Sequence, residues 1–260
     1  MDEAATGEAP GNRIQHIGEA ILVIVGAYLC ASIAVTVLDP VLTALVGDLT
    51  SNAVRIGRTV VQFAMMIAVV VGYVRVVDTE RLIRAVVPNP RGLGLIVGGT
   101  VVLLAGNELI NELLQWVGYS PGANQAVLAG VGDPLYYLAM AVVSLLFVGP
   151  AEELLFRGAV QGRLRESWGA WPAILTATVL FGLIHIPAVS GGFGAQLSYA
   201  LLAGVLGIVL GYLYEYADNI VVPSLIHGLY NATLFTLLYV SLTLGEELQQ
   251  GQALLAATLP

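Results

Sequence analysis

The chain has 260 residues, 57% of them hydrophobic and 11% charged, with a mean hydropathy of +0.84. A water-soluble domain needs a largely polar surface, so this composition excludes an ordinary soluble domain and indicates an integral membrane protein. The net charge is −8 and all ten basic residues are Arg; no basic patch exists to bind nucleic acid, and the lack of Lys fits either salt adaptation or GC-rich base composition.

Seven runs reach the roughly 20 apolar residues that a helix needs to cross ~30 Å of hydrocarbon. In chain order they are 17–38, 56–77, 93–117, 134–156, 171–189, 196–216 and 219–244. The expected fold is all-α, a polytopic transmembrane helical bundle of seven spans, or eight if residues 40–54 or 245–258 also insert. Residues 1–16 read as a mobile tail, 17–117 as an N-terminal three-span region, 134–244 as a four-span catalytic core and 245–260 as a C-terminal tail. The first run is too long for a signal-peptide core. The single cysteine, Cys30, excludes an intrachain disulfide and a Cys-based zinc site.

Arg75, Arg81, Arg84 and Arg91 flank the loop after the second span, and Arg157, Arg163 and Arg165 close the fourth. Both sets share one face, which places the N-terminus in the cytoplasm of a multi-pass cell-membrane protein. Arg55 and Arg58 fit this less well.

Polar side chains inside the later spans are the strongest functional signal, because a charge in hydrocarbon costs a few kcal/mol or more. They are Glu152 and Glu153, His185, and His227 with Asn231. Gly149-Pro150 is expected to kink the fourth span just before the two carboxylates. Glu152 and His185 each lie about sixteen residues from the turn at 167–170, roughly 25 Å along an antiparallel hairpin. His227 lies about nine residues, or ~13 Å, from the turn at 216–219, with Asn231 on the same face ~6 Å deeper. Counting therefore puts all four at compatible depth, near the cytoplasmic leaflet.

A carboxylate and two imidazoles can activate water in two ways. Glu152, His185 and His227 could hold a divalent ion such as zinc, or Glu152 and His185 could act directly as a metal-free base pair. His227 and Asn231 could donate to an oxyanion. Glu153 and Arg157 form an i, i+4 ion pair read as support, and Phe181 packs one turn before His185. Asn107, Glu108, Asn111 and Glu112 read as interfacial, and Gly204, Gly207 and Gly211 as a close-packing ridge.

The ordered motifs Glu152-Glu153-Leu-Leu-Phe-Arg157, Phe181-Gly-Leu-Ile-His185 and His227-Gly-Leu-Tyr-Asn231 resemble the CPBP family of intramembrane proteases. That family includes type II CAAX prenyl endopeptidases and bacteriocin-processing or abortive-infection proteins. The resemblance covers about 134–240. It implies a peptidase in which Glu152 and His185 activate water, while His227 and Asn231 stabilise the oxyanion or His227 helps bind a metal. The implied partners are membrane lipid and a membrane-associated peptide or protein. Two other function classes fit the same composition: a non-catalytic immunity or scaffold protein, and a transporter that relays protons through its buried acids and histidines.

Overall fold

The computed structural model describes residues 10–46, 48, 51–76 and 83–258, without the side chains of 10–12, 46 and 246–258. Among these residues the fold is all helical; pairing of extended backbone is confined to one isolated bridge between Asn124 and Val189. In order, the helices are α1 (Pro10–Val46), α2 (Asn52–Val76), α3 (Pro90–Trp116), the short α4 (Gln125–Leu128), α5 (Pro134–Trp168), α6 (Ala170–Ile184), α7 (Phe193–Ala217) and α8 (Val221–Thr258). All except α4 form a segment long and apolar enough to cross a membrane, α6 together with the 3-10 turn Ile186–Ala188 that follows it, giving the seven expected spans.

Helix starts follow local chemistry. Asn89 and Asp133 cap α3 and α5 by accepting from the backbone N–H of Gly92 and Tyr136, each with Pro in the first helical position. Gly169, with φ +76°, makes the tight turn from α5 to α6. Asp218 takes a left-handed conformation at the end of α7.

Ion pairs and hydrogen bonds sort the ends of the helices into two groups. At one end, His16 meets Ser167 at 2.8 Å, Glu19 pairs with Arg163, Arg165 with Glu215 and Arg84 with Asp218. Asn219 holds the backbone of Val86 there. At the other end Asp39 pairs with Arg58, Asn52 with Asp133 and Asn124 with Tyr199. The first end gathers most of the described arginines, as the loop pattern predicts; Arg81 lies outside the described residues.

Three boundaries differ from the sequence expectation. Helix α1 begins at Pro10, inside the presumed tail, and His16 is buried because a hydroxyl partner on α5 satisfies its ring. Helix α8 continues to Thr258, through the presumed C-terminal tail. Finally, α5 runs past the expected end at 156 to Trp168, with widened π turns at Ser144–Val148 and Leu154–Gln161 flanking a short α segment, Gly149–Glu153.

Helix α5 is the central element, packed against α1, α2, α6 and α8. One apolar cluster joins α1, α2, α5 and α6 around Phe156 and Met66. Another joins α3, α7 and α8 around Leu103 and Ile226. Outer faces of α1, α3, α5, α6, α7 and α8 carry exposed Leu and Val, as a hydrocarbon solvent demands.

Candidate active site

Two backbone contacts set the site. A Cβ on Gly149 would lie 2.6 Å from Gly228 N and 2.7 Å from Ser224 O, so α5 and α8 touch main chain to main chain. A Cβ on Gly182 would lie 2.5 Å from Ala200 O, which does the same for α6 and α7. Small residues admit such close approach. The first contact brings the residue next to Gly228, His227, against the carboxylates three and four positions beyond Gly149.

His227 is buried and sits between those two acids. Its Nδ1 donates to Glu153 Oε1 at 2.9 Å, and its Nε2 lies 3.6 Å from Glu152 Oε2. Glu153 is 0% exposed and Arg157 1%. Arg157 Nε stands 3.2 Å from Glu153 Oε2, at ion-pair distance but without hydrogen-bond alignment. Its Nη2 donates to Gly207 O at 2.9 Å, and its guanidinium lies 4.7 Å over the Phe181 ring. Two carboxylates and one guanidinium leave one negative charge in an apolar surround, which a protonated His227 would neutralise.

His185 ends α6, where its Nδ1 meets Phe181 O at 2.7 Å. A carbonyl only accepts, so Nδ1 carries a proton and Nε2 points away from this bond. Phe181 orients both imidazoles: its ring centroid is 4.7 Å from that of His185 and 5.9 Å from that of His227.

Glu152, His185, His227 and Asn231 all line one cavity of about 360 Å³, together with Phe181, Tyr199 and Tyr230. The four residues singled out from the sequence thus converge, and Asn231 shares the His227 face as the i, i+4 spacing requires. Glu153 and Arg157 lie behind the wall, in the supporting position expected. What sequence reasoning missed is that Glu153 grips His227; the Glu153–Arg157 spacing was legible within one helix, whereas a partner on α8 was not. Gly207 likewise accepts an Arg157 bond besides spacing helices. Asn107 reaches the back of the cavity, accepting from Tyr230 Oη at 3.0 Å, whereas Glu108 and Glu112 face outward.

The cavity lining runs from the polar cluster past Thr59, Gln62 and Ala188 to Asn124–Val127, the end opposite Arg163 and Arg165. Helix α6 is fifteen residues long and stops at His185. The expected metal set, Glu152, His185 and His227, lines this cavity, but among the described residues no three His, Cys, Asp or Glu side chains converge closely enough to hold an ion. The hydrogen bonds of His185 and His227 to Phe181 O and Glu153 are made through Nδ1 and leave each ring's Nε2 unengaged by them.

Comparison with known proteins accords with the geometry. Residues 134–233, which hold every residue of the cluster, match the family described as type II CAAX prenyl endopeptidase Rce1-like. The Bacillus subtilis protein named "Putative membrane peptidase YdiL" is 26% identical over 176 residues, spanning 66% of this chain and 68% of that protein. No solved structure matches the chain. The chain is therefore a multi-pass membrane protein of the intramembrane protease class, with its Rce1-like region beginning at the first residue of α5.

Proposed function

We propose that the chain is an intramembrane endopeptidase that hydrolyses a membrane-associated peptide without a metal. The observation that supports this most is the convergence of Glu152, His185, His227 and Asn231 on one cavity while Glu153 and Arg157 fix His227 from behind. Glu152 takes a proton from a water that His185 Nε2 also accepts from. The water oxygen attacks the scissile carbonyl carbon, and the resulting oxyanion receives hydrogen bonds from His227 Nε2–H and Asn231 Nδ2. The C–N bond then breaks, and the proton held by Glu152 passes to the leaving amine. A general base and preorganised donors each contribute about two to three orders of magnitude to such a reaction.

The proposed orientation keeps the N-terminus and the Arg-rich end in the cytoplasm. The cavity then opens toward the outer leaflet, and cleavage falls near mid-membrane rather than at the cytoplasmic leaflet. A peptide reaching that side is favoured over a prenylated CAAX C-terminus held in the cytoplasmic leaflet. Purified protein is assayed for cleavage of membrane-anchored peptides, with each of the four cavity residues replaced by Ala. Loss of turnover in Glu152→Ala and His185→Ala, with folding retained, supports the assignment; unchanged turnover refutes it. Turnover that is abolished by chelation and restored by zinc would refute the metal-free route.

A further inference from the structure

Behind the catalytic cluster, polar side chains continue along α5 toward the Arg-rich end. Glu153, Arg157, Gln161 and Arg165 follow one another at intervals of four, facing Gly207, Gly211 and Glu215 at the same interval on α7. Arg157 donates to Gly207 O. Gln161 Nε2 bonds both Gly211 O, at 3.2 Å, and Glu215 Oε1, at 2.9 Å. Glu215 in turn pairs with Arg165, whose side chain is 46% exposed. The row thus runs from His227 to the surface of the bundle through residues otherwise sealed from solvent; Gln161 is only 1% exposed.

The row is not internally satisfied. Five buried side-chain polar atoms among the described residues lack a hydrogen-bond partner, and three of them, Glu153 Oε2, Arg157 Nη1 and Gln161 Oε1, lie here. Buried polar groups are almost always bonded, and an orphan is met by internal water where space exists. Glycine admits the close approach of α7: a Cβ on Gly211 would lie 2.9 Å from Gln161 Oε1, and one on Gly207 3.2 Å from Arg157 Nη2, so the row packs on the α7 main chain while its three orphaned atoms still lack a protein partner.

We infer that Glu153, Arg157 and Gln161 hold a file of water molecules, a hydrated seam through which water reaches the Glu152–His227 centre from the Arg-rich end of the bundle. Each turnover consumes one water, and the cavity's opposite mouth is occupied by peptide while the bond is cut. A separate water route through the protein meets that need. Gln161 is on this account a positioning residue, since it touches water rather than peptide.

The inference rests on the hydrolytic reading for its purpose but not for its hydration, and the two are tested apart. A high-resolution structure of the full chain in detergent should show ordered water within hydrogen-bond distance of Arg157 Nη1 and Gln161 Oε1. Dry density there, or both atoms bonded to protein, overturns the seam while leaving the peptidase assignment standing. In the cleavage assay, Gln161→Leu should lower kcat roughly tenfold with KM unchanged and enlarge the solvent deuterium isotope effect. Gln161→Ser, which leaves room and a hydroxyl for water, should stay within about threefold of wild type. Full kcat in Gln161→Leu overturns the inference; if that variant does not fold, the water positions and Gln161→Ser decide. Water in the seam of a protein without turnover would keep the hydration and sink the hydrolytic reading.

Discussion

Replacing Gly149 by Ala isolates the contact that brings the catalytic residues together. The new Cβ would lie 2.6 Å from Gly228 N, 2.7 Å from Ser224 O and 2.8 Å from Gly228 Cα. All three are backbone atoms, so no side chain can swing away; α5 and α8 must part by about 1 Å to restore ordinary van der Waals separation. The bond from His227 Nδ1 to Glu153, now 2.9 Å, would stretch beyond hydrogen-bonding range. Overpacking of this kind costs roughly 1–3 kcal/mol of stability, and a 1 Å misplacement at a catalytic centre costs on the order of 100-fold in rate. Turnover and thermal unfolding should be measured together in detergent. The control is Gly72→Ala, because nothing lies within 4 Å of a Cβ at that position. Wild-type turnover in Gly149→Ala would refute the claim that this contact sets the geometry.

Other consequences follow from the same arrangement. Arg157→Met removes the ion-pair partner of the buried Glu153 carboxylate and should destabilise the fold by about 3–5 kcal/mol; adding Glu153→Leu should recover stability in thermal unfolding but not turnover. Asn231→Ala should lower kcat by roughly 100-fold with little change in KM, since an oxyanion donor acts in the transition state, and equal losses in both would point to peptide binding instead. The Asn52 amide holds the Asp133 carboxyl below its ordinary value, helped by the Tyr136 N–H. That contribution is fully present above the ordinary Asp value of about 3.9 and is lost as pH falls through the lowered folded value. Asn52→Ala should therefore flatten the acid side of the unfolding temperature against pH, by well under about 1 kcal/mol for so solvated a pair.

The spans were legible because hydrocarbon enforces length: seven apolar runs became seven spans, although α1, α5 and α8 run well beyond the apolar stretches that announced them. The site was legible for a related reason. Glu152, His185, His227 and Asn231 are costly where they stand, and helical spacing aligned them in pairs. Features that depend on contact between helices were not legible. Nothing in the local pattern around Pro150 signals that π turns will flank the proline. Glu153 announces its i, i+4 partner Arg157, but its bond to His227 depends on the Gly149–Gly228 approach. The depth count grouped the four residues that line one cavity, but it carries no information on which loops wall that cavity, because Asn124–Val127 lie outside the spans it counted along.

The central claim is that the Glu152 carboxylate activates the hydrolytic water. Glu152→Gln keeps the shape of the side chain and removes the base, so the single-turnover cleavage rate of this variant is the most direct test. The account predicts a fall of at least about 100-fold, with an unfolding temperature close to that of wild type. A cleavage rate within a few-fold of wild type, in a protein shown to be folded, would contradict it.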